Sequence, residues 1–115
     1  MALVPASSDS KIPISFGNLV TLTMGTAVSI SDLSWYTCPS DGYFIINSSG
    51  VQKKFCYGYI RTGDTTYQKV MGIGTPLTMN SEADPTASLY VRKGMQIAFF
   101  GTSGDATGCF LPLNS

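Results

Sequence analysis

Histidine is absent from this 115-residue chain, and charge is scarce: seven Lys and Arg against seven Asp and Glu, 12 % of the residues. Without an imidazole there is no histidine general base, no Ser-His-Asp or Cys-His nucleophile and no histidine metal ligand. A formal net charge of zero leaves no electrostatic footprint for nucleic acid or an anionic membrane. Nor does any run approach the roughly 18 consecutive apolar residues that a membrane-crossing helix needs, so no membrane insertion is expected. The opening residues, MALVPASSDSK, lack the basic start and apolar block of a secretory signal. They are expected to form a flexible arm over residues 1–11, ahead of a single β-sandwich domain over residues 12–115.

Cysteine is also sparse. Cys38, Cys56 and Cys109 contain no Cys-x-x-Cys pair, which argues against zinc and dithiol redox motifs. Buried small hydrophobes are the expected role, since free Cys is among the most buried residue types; one disulfide among the three stays open. Cys38 has no basic neighbour in sequence, and Cys56 follows Lys53-Lys54, a slender basis for a reactive thiol. Carboxylates for glycoside chemistry would have to come from Asp32, Asp41, Asp64, Glu82, Asp84 and Asp105, nearly all in turn-like stretches where Asp serves the turn itself. The stretch MGIGTP lacks the helix and the Lys-Ser/Thr of a phosphate loop. Asn47-Ser48-Ser49 matches a glycosylation sequon, a pattern without meaning outside a secretory route. No catalytic residue, metal or cofactor is therefore expected.

What the chain has is strand pattern. Hydrophobic residues make up 43 % of it, while its charged share is about half the usual quarter. The polar surface must come from Ser, Thr, Asn and Gly, a composition that suits a β-protein hiding part of its outside against copies of itself. Ile12, Ile14 and Phe16 alternate with polar residues, as do Val20, Leu22 and Met24, and then Val28 and Ile30. Further strand-like runs are WYTC, YFIIN, QKKFCYGYI, TYQKVMGI, SLYVRK, MQIAFFG and TGCFLPL, separated by the turn signals PSDG, NSSG, RTGD, RKGM and TSGD. About ten short antiparallel strands at this spacing predict an all-β sandwich or barrel.

Two strands are apolar on both faces. In YFIIN, Tyr43 and Ile45 oppose Phe44 and Ile46; in FCYGYI, Phe55, Tyr57 and Tyr59 form an aromatic stripe opposite Cys56, Gly58 and Ile60. A surface strand of a monomeric sandwich normally keeps one polar face, and an exposed apolar patch marks an interface. Self-association is the simplest outlet, with cover by a loop of the same chain as the alternative. For a ligand, the stretch from Tyr59 to Tyr67 joins aromatic rings to polar groups in one hairpin loop. Tyr59, Arg61, Asp64 and Tyr67 are the candidate ligand-binding residues. Trp35 invites the same reading, but a Trp beside a strand start is assigned to core or interface.

The run YTCPSDGYFII resembles an early strand pair of the tumour-necrosis-factor and complement globular-head superfamily. LYVRKGMQIAFF resembles its late hairpin and GDATGCFLPL its closing strand. A similar Pro-Ser-Asp-Gly-Tyr with a later Lys-Gly turn recurs in phage fibre tips. The likeness covers most of residues 26–113, and it lies in the order of short motifs. Met95 stands where an Asp is common after the turn Gly, and the chain is shorter than the complement heads, so no calcium site is carried over. The resemblance implies a jelly roll of about ten strands with three copies around a threefold axis. Phe55, Tyr57, Tyr59, Phe110 and Leu111 would then lie at the oligomer interface. It further implies a virion protein, assembled in a reducing bacterial cytoplasm, that recognises a host-surface glycan or protein as a trimeric fibre tip. A head-decoration module bound only to other virion proteins, or a binding protein at the bacterial surface or secreted from it, are the alternatives.

Overall fold

The structure, a computed structural model, describes residues 15–50, 54–61, 66–75 and 85–114. Among these there is no helix, and nine strands form two antiparallel sheets. The strands are β1 (Ser15–Phe16), β2 (Val20–Thr21), β3 (Tyr36–Thr37), β4 (Gly42–Ser48), β5 (Phe55–Arg61), β6 (Gln68–Gly74), β7 (Thr86–Val91), β8 (Gln96–Gly101) and β9 (Ala106–Asn114). The flexible arm expected over residues 1–11, and the alternation of Ile12 with Ile14, lie outside the described residues.

Period-two alternation sorts the side chains. In β4, Phe44, Ile46 and Ser48 are fully buried, whereas Tyr43, Ile45 and Asn47 turn outward. Register then aligns like with like: Phe44 lies between Leu89 of β7 and Phe110 of β9, and Tyr43 between Tyr90 and Leu111. One sheet runs in the order β1-β9-β4-β7, with β2 also on β9; the other runs β3-β8-β5-β6. The pairing is nested: the first strands meet the last, β3 meets β8, β4 meets β7, and β5 meets β6.

The two sheets enclose one core. Phe44, Ile46, Val91 and Phe110 come from one side, and Cys56, Ile97 and Phe99 from the other. Each large apolar side chain so enclosed contributes about 1.5–3 kcal/mol relative to exposure. The fit is close enough to require a glycine at 108, where a Cβ would run into the Phe99 ring from the facing sheet. The connection from β7 to β8, expected as a hairpin, instead crosses from one sheet to the other, turning at Gly94, whose φ of 91° suits glycine. That turn is anchored to the residue following β3, the Cys38 amide donating to the Met95 carbonyl at 2.8 Å.

The strand expected at Val28 and Ile30 is a turn instead. The Asp32 amide donates to Ser29 Oγ at 3.0 Å, the Ser29 hydroxyl donates to Asp32 Oδ2 at 2.8 Å, and the Leu33 amide donates to the Ser29 carbonyl at 3.1 Å. Ser and Asp side chains offer the backbone this local alternative to a sheet ladder, and Val28 is left 46 % exposed.

Candidate functional site

Alternation in β5 sends Cys56 and Ile60 into the core, so Phe55, Tyr57, Tyr59 and Arg61 must lie on the outward face of the four-stranded sheet. Beside them β8 contributes Phe100, Ala98 and Gln96, in register with Tyr57, Tyr59 and Arg61. The 26–33 turn delivers Leu33 onto this face, where it packs with Tyr59 and Ala98. The chain thus roofs part of its own aromatic stripe. Tyr59 is only 4 % exposed as a result, and burial raises its hydroxyl pKa. This corrects Tyr59 as both a ligand-binding and an interface residue: its ring is already occupied by its own chain. Phe55 and Tyr57 stay half-buried, stacked together with centroids 5.2 Å apart.

At the end of β5 the structure brings Arg61 and Tyr67 together, and adds Trp35. The Arg61 guanidinium lies over the Trp35 ring, 4.6 Å from its centroid, and Tyr67 meets the same ring edge-on at 6.1 Å. Trp35 is fixed by its indole N–H, which donates to the Ile30 carbonyl at 2.9 Å. Arg61 Nε donates to Gln96 Oε1 at 2.7 Å, and Gln96 Nε2 donates to Thr37 Oγ1 at 3.0 Å, a polar row across β5, β8 and β3. An open cleft of about 180 Å³, lined by Ile60, Arg61, Thr66, Tyr67 and Gln68, lies on one side of this cluster. A second, of about 210 Å³, runs from Val20 to Trp35 and Tyr36. Asp64 lies outside the described residues.

No protein-family model matches the chain, and neither does any curated protein or solved structure. Its chemistry must be read from its own geometry.

Further along the same face, β5 and β6 slip register between Gly58 and Tyr59, leaving Val70 unpaired and setting Lys69 opposite Tyr59. The Lys69 ammonium then lies 4.3 Å from the centroid of the Tyr57 ring. Sequence reading had no signal for Lys69, Gln96 or Thr37, since only the strand register makes them neighbours of Arg61 and Tyr57. Trp35 carries a signal in the sequence, an aromatic ring in a turn-rich stretch, and the structure sets it under Arg61 and against Tyr67.

The outward face of the five-stranded sheet is different. Tyr43 and Tyr90, cross-strand partners, meet edge-to-face at 5.8 Å and are 37 % and 47 % exposed; Phe16, paired with Leu113, is 53 % exposed. Leu111 and Cys109 lie between them, half-buried. Leu111 therefore does face outward. Phe110 does not, because adjacent strand residues point to opposite faces. It is fully buried, its ring 5.7 Å from that of Tyr36, and it fills the core rather than an oligomer interface.

The carboxylates among the described residues have structural partners; Glu82 and Asp84 lie outside them. Asp32 binds Ser29, Asp105 pairs with Lys54 at 3.1 Å, and Asp41 accepts from the Lys93 amide at 2.9 Å and the Tyr90 hydroxyl at 3.1 Å. The Lys93 amide, with Tyr90 and Arg92, holds the Asp41 carboxyl below the ordinary range. All three thiols are free. Burial pushes Cys38 and Cys56 each up to about 11 and raises Cys109 as well, so at neutral pH these are protonated, poorly nucleophilic groups.

Proposed function

We propose that this chain is a non-enzymatic structural protein of a phage or prophage virion, a homotrimeric jelly-roll module at a fibre tip that binds a ligand on the host surface. One observation carries the reading: the outward face of the five-stranded sheet exposes large aromatic rings on strands that carry no charged residue. None of β1, β2, β4, β7 and β9 contains a charged residue, and Phe16, Tyr43 and Tyr90 are exposed on them. Copies arranged about a symmetry axis bring identical residues together, so a face without like charges is the one that tolerates that position. Covering it removes apolar area at about 25 cal/mol per Å² before the cost of association. The nested strand pairing supports the jelly roll, and the resemblance of the three sequence runs supplies the number three. The contact then centres on Tyr43, Tyr90 and Leu111, and the opposite sheet stays free for a ligand.

Light scattering coupled to gel filtration tests the assembly, with three chains per particle expected and a monomer overturning it. Binding of labelled protein to host cells is expected. Attachment only to virions lacking the protein would instead identify a decoration module.

A further inference from the structure

We propose that the outward face of the four-stranded sheet holds an anionic saccharide, with Arg61 and Lys69 supplying the charge and Trp35 and Tyr57 the stacking surface. This deepens, and rests on, the reading of a module that binds the host surface. Among the described strands, the charged residues are two cations, Arg61 and Lys69, and both lie outward on this one sheet. Lys69 is paired with Tyr59, and Arg61 is two residues beyond Tyr59, about 7 Å along the strand.

Neither cation forms an ion pair among the described residues. The described carboxylates are engaged elsewhere: Asp105 with Lys54, Asp41 with Arg92, Tyr90 and Lys93, and Asp32 with Ser29. Each cation lies instead against an aromatic ring, an arrangement that holds the charge in place without neutralising it. Arg61 commits Nε to Gln96, which fixes the guanidinium plane; among the described residues no carboxylate takes its other N–H donors, which suit a forked contact with a carboxylate or phosphate. The cleft beside it adds hydroxyl and amide groups from Thr66 and Gln68. Half-exposed rings, a few hydrogen-bonding groups and two spaced charges match a sugar that carries acid groups. A polyanion such as nucleic acid is drawn in by a strongly basic surface, and this chain has a net charge of zero.

Trp35 is the only tryptophan of the chain, so its fluorescence reports on this face directly. The full-length protein is titrated with an oligogalacturonate, a phosphorylated mannan oligosaccharide, the fully methyl-esterified oligogalacturonate and an oligothymidylate. The carboxylate and phosphate arms identify the source of the anionic group. A saturable change with at least one acidic sugar is expected, at least tenfold weaker for the neutral ester. Arg61→Gln and Lys69→Gln should each weaken binding about tenfold, the loss of a charge-assisted contact. Lys69 is exposed, so that variant keeps the test decisive if Arg61→Gln fails to fold. Equal affinity for the neutral ester, equal affinity for oligothymidylate, or acidic-sugar binding unchanged in both variants would overturn the proposal. No response to any sugar, from protein that still attaches to host cells, would overturn this inference and leave the host-surface reading standing. Acidic-sugar binding through Arg61 without attachment to cells would uphold the inference and remove the host-surface reading.

Discussion

The two outward faces of the sandwich are built by the same alternation and end up chemically unlike. The five-stranded sheet presents Phe16, Tyr43 and Tyr90, more than a third exposed, on strands without a single charge. The four-stranded sheet presents an aromatic stripe that Leu33 partly roofs, with Arg61 and Lys69 seated on Trp35 and Tyr57. An apolar outer face alone does not say what covers it. Charge and self-cover separate the two: the neutral open face suits copies of the same chain, and the cationic, partly covered one suits something else.

The largest effect should come from breaking what both faces share. Phe44→Ala removes a fully buried ring at the centre of the core and should cost about 3–5 kcal/mol in chemical denaturation, degrading both faces together. Next comes a contrast between faces. Tyr43→Lys with Tyr90→Lys should dissociate the assembly, losing about 2 kcal/mol or more of association energy per contact, while the monomer still folds. Tyr57→Lys, on the other sheet, should leave the particle mass unchanged. A loss of assembly from Tyr57→Lys alone would exchange the roles of the two faces.

A third test uses the thiols. Cys109 is half-buried on the neutral face, so its labelling by a disulfide reagent should quicken several-fold when the assembly is dissociated, while Cys38 and Cys56 stay unlabelled in both states. Those two buried thiols also set an alkaline limit. Their folded pKa values, about 11, lie above the unfolded value near 8.5. Their contribution is therefore fully present below about pH 8.5 and is lost as pH climbs towards 11. Cys56→Ala should flatten that decline in denaturation curves between pH 8 and 11.

The smallest effect concerns Asp41, which ties Tyr90 and the Lys93 amide at the rim of the neutral face. Its carboxyl is held low when folded, so the stability it adds is present above the ordinary carboxylate pKa near 3.9 and fades as pH falls through the lower folded value. Asp41→Asn should remove that slope in acid denaturation, with a small loss of stability at pH 7, where the carboxylate's contribution is fully present.

The strands were legible because their cause is local. YFIIN, FCYGYI and TGCFLPL carry their alternation in the sequence, and parity groups Phe44 with Ile46 and Cys56 with Ile60; which of two apolar faces turns inward is set by how the sheets pack. Parity should also have separated Phe110 from Leu111, adjacent residues that a single interface could not both use. Less legible was everything decided by chain path. The Ser29–Asp32 hydrogen bonds that turn Val28 and Ile30 into a loop, and so carry Leu33 over Tyr59, compete with a strand on nearly equal local terms. Of the candidate ligand site, Arg61 and Tyr67 could be named from their own loop. Trp35, Gln96 and Lys69 join them through the β5–β8 register and the slip at Val70, which depend on non-local pairing.

The central claim, that the neutral face is covered by other copies of the chain, is tested most directly by the mass of the native particle. Light scattering on the full chain should give three times the 12.2 kDa of one chain, falling to a single chain for the Tyr43→Lys, Tyr90→Lys variant. A native mass of one chain at micromolar concentration would contradict it.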